Sequence, residues 1–198
     1  LKDTKILFNY PGFKKIEENI WVISNFLTKE EISAYMSEVE KADESEWWVE
    51  GTNWYEGKVL TLPGRPAMEY ADLIVERFKK LFMNHAEYTF GCPMSIHRMQ
   101  PEQEMFVHSD YPELDDFKEE CVLFNVALYH NEFEGGALYY PGKNFIEYKP
   151  EAGDLLIHPG TTEYRHGVRK VTGDKTRYMS NLWVADKVGM SIRISGNA

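Results

Sequence analysis

The sequence is poor in cysteine, short of positive charge relative to negative, and free of long apolar runs. Each shortage excludes a class of protein. Only two cysteines, Cys92 and Cys121, stand in 198 residues, too few and too isolated for a disulfide framework or a cysteine-built zinc site. They are expected to be buried or inert thiols of a reducing compartment. Lysine and arginine number 22 against 32 aspartates and glutamates, a net charge of −10. Such a surface repels a phosphate backbone unless a basic patch overrides it, and the sequence holds none, so nucleic acid is not an expected partner. No apolar run approaches the ~20 residues a membrane helix needs, and Leu1 to Tyr10 lack the basic-then-apolar pattern of a secretion signal. A soluble, cytoplasmic protein with no membrane partner is expected. Internal repeats, low-complexity tracts and linkers rich in Gly, Ser or Pro are also missing, so residues 1–198 are expected to form a single domain.

What is present suffices for a large core: 43% of residues are hydrophobic and 14% aromatic, and a chain of this length needs no covalent staple. The apolar period changes along it. Thr28-Lys29-Glu30-Glu31 is a capping box, followed at helical spacing by Ile32, Tyr35, Met36 and Val39. From Pro66 to about His85, Met68, Ala71, Val75, Phe78 and Phe82 form a second helical stripe. After Gly91 short apolar or alternating runs appear, bounded by Gly, Pro, Asn or Asp. They predict strands at Met94–Met99, Met105–His108, Cys121–Tyr129, Ala137–Tyr140, Phe145–Tyr148, Asp154–Ile157, Arg165–Val171 and Thr176–Val184. Ile6–Phe8 and Trp21–Ile23 are earlier strand candidates. Many strands with no helix between them mean a sandwich or barrel rather than βαβ units, so a mainly β jelly roll is expected, with two N-terminal helices packed outside one sheet.

Six histidines are present: His85, His97, His108, His130, His158 and His166. In His108-Ser109-Asp110 an imidazole and a carboxylate emerge on the same side of an extended strand and can hold two positions on one metal. Random order supplies about 0.3 such triplets in a chain of this composition, so on the triplet alone a surface histidine beside a turn-forming aspartate is the better explanation, by roughly two to one. A distant second histidine changes the weighing, because two His and one carboxylate on one face leave coordination positions open, as in non-haem Fe(II) oxygenases. His166 offers that ligand, and Arg177 offers an anchor for an anionic cosubstrate. Val171–Lys175 reads as a turn between them, so their strands are expected to be antiparallel neighbours. Arg177, Met179, Asn181 and Trp183 would share one face of the last strand. An arginine pointing into a barrel is costly without an anion to clasp.

Read together, several motifs resemble the 2-oxoglutarate- and Fe(II)-dependent dioxygenases, in particular the prolyl 4-hydroxylase-like branch. They are His108-Ser109-Asp110, the run from Tyr129 through Gly135-Gly136 to Pro141, Pro150–Ile157, His166-Gly167-Val168, and Arg177 to Val184. The likeness spans residues 91–185 and implies a double-stranded β-helix (jelly roll) core there, buttressed by residues 1–90. It implies His108, Asp110 and His166 as iron ligands and Arg177 as the partner of the distal 2-oxoglutarate carboxylate. Tyr129 would reach that carboxylate, Trp183 would lie near the cosubstrate, and Gly135 and Gly136 would adopt positive φ. The implied cofactors are Fe(II), 2-oxoglutarate and O₂, with ascorbate as an optional reductant. The implied reaction is hydroxylation with release of succinate and CO₂. Its substrate would be a prolyl residue of a peptide or protein, with a free amino acid or another small molecule left open.

The match has departures. Met99 and Met105 stand where many relatives carry tyrosines before the first iron ligand. Trp183 stands where nucleic-acid demethylases place a second arginine, which argues with the acidic charge against nucleobase repair. His158, before Pro159-Gly160, competes with His166 but is expected at a turn. His130 should face away from the site, and His85 and His97 have no motif around them. Trp47, Trp48, Trp54 and Tyr55 form either a flap over the iron, within residues 45–62, or a core cluster. The acidic run Glu113, Asp115, Asp116, Glu119 and Glu120 reads as a solvated loop or a lure for a cationic substrate. Two readings from other classes stay open: a jelly-roll binding module that keeps a metal without oxidising anything, and a cupin-like metalloenzyme without a keto-acid cosubstrate.

Overall fold

The computed structural model describes residues 10–111 and 122–195. Ile6–Phe8, Cys121 and the acidic run 113–120 lie outside the described residues. The scaffold is a jelly roll of two antiparallel sheets. The larger has the order β1 (Phe13–Glu17), β2 (Ile20–Ile23), β12 (Leu155–Pro159), β8 (Leu123–Tyr129), β15 (Arg177–Ala185), β6 (Ser95–Met99), β4 (Lys58–Thr61), β3 (Trp47–Val49), with β5 (Thr89–Phe90) on the end of β15. The smaller has the order β11 (Ile146–Tyr148), β10 (Leu138–Tyr140), β13 (His166–Val168), β7 (Met105–His108). A short ribbon of β9 (Glu134–Gly135) and β14 (Val171–Thr172) completes the strands.

Strand alternation sorts residues between two cores. On β8, Phe124, Val126 and Leu128 join Leu182 and Val184 of β15, and Leu155 and Ile157 of β12, on the outer face of the large sheet. There they meet α1 (Lys29–Lys41) through Tyr35 and α2 (Ala71–Lys79) through Ile74 and Phe78. Ala127 and Tyr129 of β8, Leu156 of β12 and Met179 of β15 point the other way, into the space between the sheets. The helices thus brace one face of the large sheet and leave the other for the site. A third helix, α3 (Lys187–Ser195), follows β15.

The strands after Gly91 fall where the apolar alternation puts them, within one or two residues. The second helix is shorter than its stripe. Pro66–Tyr70 is a 3-10 turn, and α2 ends at Lys79. Leu81 and Phe82 then donate to Phe78 and Lys79 in tighter i to i−3 bonds, and Asn84 turns left-handed at φ 55°. The single strand expected over Arg165–Val171 is broken into β13 and β14.

The strands of His166 and Arg177 are not neighbours. β13 lies in the small sheet beside β7 and β10, and β15 lies in the large sheet between β8 and β6. The Val171–Lys175 segment does not close a hairpin, because β14 pairs with β9 instead. Apart from the β10–β11 hairpin and the β9–β14 ribbon, the strands from β6 to β15 alternate between the sheets, so His166 and Arg177 face each other across the barrel.

Candidate active site

His108 ends β7 and His166 begins β13, and the two are direct register partners, with ring centroids 4.6 Å apart. Each ring is aimed by its own backbone. His108 Nδ1 lies 3.0 Å from the Phe106 carbonyl, and His166 Nδ1 lies 3.2 Å from that of Tyr164. With Nδ1–H donating to these carbonyls, both Nε2 lone pairs turn to the same space. Asp110 completes the group: Oδ1 is 3.2 Å from His108 Nε2, and Oδ2 is 3.8 Å from His166 Nε2. The three ligand atoms lie within 4.8 Å of one another. Trp54 stacks flat on His108 at 3.8 Å and 10°, holding the ring plane. Gly160 must stay bare, since a Cβ there would sit 2.7 Å from Asp110 Cβ.

This donor set fits Fe(II) on two counts. Asp110 Oδ2 is buried without a hydrogen-bond partner, an acceptor waiting for a cation. Asp110 and His166 also stand in their ligating form at neutral pH. Burial pushes the Asp110 carboxyl up, but the neighbouring imidazoles of His166, His108 and His158 outweigh it and leave it well below the usual range. Burial above all lowers His166 to about 3, so its imidazole is neutral. Two nitrogens and one oxygen on one face are what a mononuclear non-haem iron takes.

Opposite the triad, across a cavity of about 370 Å³, Arg177 projects from β15. It is almost fully buried, its Nη2 is 3.5 Å from Tyr129 Oη, and its Nη1 is 3.7 Å from Met99 Sδ. The guanidinium sits 5.2 Å from the Tyr129 ring and 5.7 Å from that of Phe133. Its Nε has no acceptor, and no carboxylate among the described residues is within ion-pair distance. Gly136, at φ +59°, makes room for it: a Cβ there would be 3.3 Å from Arg177 Cδ and 2.9 Å from the Phe133 ring. Gly135 is also left-handed, at φ +61°. Met99, where relatives carry tyrosine, gives Arg177 a thioether in place of a hydroxyl. Met105 lines the cavity.

The residues singled out from the sequence divide clearly. Met179, Asn181 and Trp183 line the cavity with Arg177, on one face of β15. Of the aromatic cluster, Trp54 and Tyr55 line it and Trp47 and Trp48 do not. Trp47 is in the outer core under the Arg98 guanidinium, 4.3 Å from ring centre to charge, and Trp48 on the other side of β3 is exposed. His158 is not at a turn. It lies within β12, buried, with its ring 4.4 Å from that of His166, yet outside the ligand group. His130 faces away from the cavity, as alternation requires, and is buried, stacked on Tyr35 at 4.6 Å and bonded to Ser180 Oγ at 2.8 Å.

Three site residues had no motif to announce them. His97 lines the cavity 3.2 Å from Ser95 Oγ, and burial lowers it to about 4. Its i, i+2 relation to the inward-facing Met99 was the available signal. Tyr140 packs 5.9 Å from His166 with a buried, unpartnered hydroxyl, two residues along β10 from the inward Leu138. Glu50, on the cavity wall, follows a strand that no alternation marks.

Comparison with known proteins agrees with this geometry. Residues 94–185 match the family described as the 2OG-Fe(II) oxygenase superfamily, whose activity implies Fe(II), 2-oxoglutarate and O₂. No curated protein matches the chain. Among solved structures, a prolyl hydroxylase from Trichoplax adhaerens in complex with a hypoxia-inducible-factor peptide is similar at TM-score 0.64 and 20% identity, covering 93% of this chain and 88% of that one. A viral collagen prolyl hydroxylase from Paramecium bursaria Chlorella virus-1, in complex with 2OG, superposes at TM-score 0.63 and 17% identity, covering 85% and 96%. A Pseudomonas putida prolyl-4-hydroxylase does so at 0.61 and 17%, covering 91% and 95%. At these identities the structural likeness establishes the jelly-roll fold.

Proposed function

We propose, from the premise that this chain carries a 2OG-Fe(II) oxygenase domain, that it hydroxylates a prolyl residue of a peptide or protein. In this reading His108, Asp110 and His166 hold Fe(II), and Arg177 with Tyr129 holds 2-oxoglutarate. The observation that carries it is the buried Arg177, without a counter-anion, facing an orphaned Asp110 oxygen across one cavity. A binding module that merely retained a metal would have no use for a desolvated guanidinium. A barrel without a keto-acid cosubstrate would not need one either.

When bound, Fe(II) supplies the activation of O₂, coupled to decarboxylation of 2-oxoglutarate to succinate and CO₂. The chain's own residues do the rest. Arg177 offers parallel N–H donors that match a carboxylate, and the Tyr129 hydroxyl beside Nη2 adds a donor to the same group. His108 and His166 turn Nε2 toward the iron position because Nδ1 is committed to the backbone. Met105, Ala127 and Leu138 give the cavity apolar wall, which excludes water and strengthens the charge pairing within. The indoles of Trp54 and Trp183 at the wall suit an apolar ring such as pyrrolidine. Prolyl hydroxylases are among the proteins that share the fold, which supports that substrate.

Anaerobic titration of 2-oxoglutarate into the Fe(II)-loaded protein tests the reading. A weak visible charge-transfer band is expected in the wild type and none in His166→Ala. Arg177→Ala should need on the order of 100-fold more cosubstrate, as for loss of one partner of a buried charge pair. An iron-loaded wild type without the band would refute the assignment. Hydroxyproline formed in step with succinate on prolyl peptides would then establish the substrate.

A further inference from the structure

Asp110 and Glu50 are the carboxylates on the cavity wall, and the iron and cosubstrate reading uses only Asp110. Glu50 directly follows β3, in the connection to β4, close enough to His108 and Asp110 to feel both charges. It is half-buried, and burial raises its pKa. Among the described residues its carboxylate has neither a hydrogen bond nor an ion pair. The second half of the connection is strapped to the barrel. The Trp54 carbonyl accepts from Phe106 N at 2.8 Å, Tyr55 bridges to Met105, Gln103 Nε2 donates to the Glu56 carbonyl, and Glu104 N to the Glu56 side chain. Glu50 is therefore a carboxylate carried on a tethered frame, beside a second carboxylate, with no cation of its own.

Iron on Asp110 would neutralise that carboxylate, whereas Glu50 would stay desolvated and unpaired until a cationic group entered with the substrate. We infer that Glu50 selects for a cationic substrate, one that presents an ammonium or guanidinium group beside the residue to be hydroxylated. The inference rests on the oxygenase reading and narrows its substrate to a basic peptide. A neutral analogue would leave Glu50 desolvated and unpaired, which is how a polar site rejects a ligand that lacks the matching group. The net charge of −10 steers a basic peptide toward the surface in the same sense.

The test uses two short peptides with a central proline, flanked by lysine in one and by glutamine in the other. Binding to the anaerobic Fe(II)–2-oxoglutarate complex is followed by calorimetry, and turnover by succinate release. The wild type should favour the lysine peptide by at least about 10-fold in kcat/KM, the scale of one lost charged hydrogen bond. Glu50→Gln should abolish the preference, and Glu50→Lys should reverse it toward a glutamate-flanked peptide. Equal handling of the lysine and glutamine peptides, failure of the wild type to bind either, or a preference that survives in Glu50→Gln would overturn the inference. The charge-transfer band separates the two claims. With the band present and no charge preference, only the role of Glu50 falls. With no band in the wild type, both fall.

Discussion

A guanidinium enclosed by Tyr129, Met99 and Phe133 keeps its charge but loses most of the water that stabilised it, and no described neighbour is an anion. On the proposed reading, Arg177 weakens the cosubstrate-free protein in order to bind a carboxylate. Replacing a buried ion pair by apolar side chains of similar volume is often neutral or stabilising by about 1–4 kcal/mol, and a charge buried without a partner has no pairing to lose. Arg177→Met should accordingly leave the thermal midpoint of the cosubstrate-free protein unchanged or raised, while abolishing the rise that 2-oxoglutarate gives the wild type. A lower midpoint without cosubstrate would mean that Arg177 is structural. This residue, like His108, Asp110 and His166, could be picked out as a candidate because its motif has a recognisable spacing, and the structure brings the four around one cavity. Tyr140, His97 and His158 were not legible in this way, because each reaches the site through strand alternation alone. Their faces are known only once a neighbour such as Met99 or Leu156 is known to point inward. His158 was further obscured by Pro159-Gly160, which read as a turn but continues β12 through Pro159.

Among the elements, α1 was the most legible, since its start is written in the local sequence. Thr28 Oγ1 accepts from Glu31 N at 3.2 Å, and the Glu31 carboxylate accepts from Thr28 N at 2.8 Å. Glu31 also carries a tertiary load: it pairs with Arg77 of α2, whose Nη1 donates in addition to the Phe26 carbonyl at 2.6 Å. Thr28→Ala should cost about 1 kcal/mol, the usual worth of an N-cap. Glu31→Ala should cost about 3 kcal/mol, because it also strands a half-buried guanidinium between the helices. Urea unfolding of both variants checks the order, and equal losses would mean that the Glu31–Arg77 pair adds nothing beyond the cap. Elements fixed by distant partners were harder to read. Phe13-Lys14-Lys15-Ile16-Glu17 barely alternates, yet forms β1 by pairing with β2. β3 and β4 exist because β4 pairs with β6, a strand some forty residues further on. The misplaced pairing of the His166 and Arg177 strands has the same origin: a turn sequence was read locally, whereas β9 captures β14 from outside the segment.

For the whole molecule, no described helix is long and apolar enough to cross a membrane, and both sides of the large sheet are instead built into protein core. That architecture shuts several histidines away from water, which makes stability depend on pH. An unfolded histidine takes up its proton near pH 6.5, whereas burial delays protonation in the folded protein to about 4 for His97 and about 3 for His130 and His166. Between those values and pH 6.5 the unfolded chain holds more protons, so stability is fully present above pH 6.5 and falls as the pH drops. Each such histidine contributes a slope of up to about 1.4 kcal/mol per pH unit. Asp110 acts elsewhere: its folded pKa is depressed, so its contribution is present above the unfolded value of about 3.9 and is lost only below it. The window between about pH 4.5 and 6.5 therefore belongs chiefly to the histidines, opposed by Glu50, whose pKa burial raises so that the folded protein takes up its proton first. His130 isolates one of them, since it lies outside the metal site, stacked on Tyr35 with its Nδ1 unpartnered. In metal-free protein, His130→Phe should reduce the stability slope between about pH 6 and pH 4.5 by about 1.4 kcal/mol per unit, while keeping the ring stack. Urea unfolding across that range measures it. An unchanged slope would mean that the folded protein protonates His130 as readily as the unfolded chain does, and that the layer between α1 and the large sheet admits the water its burial denies.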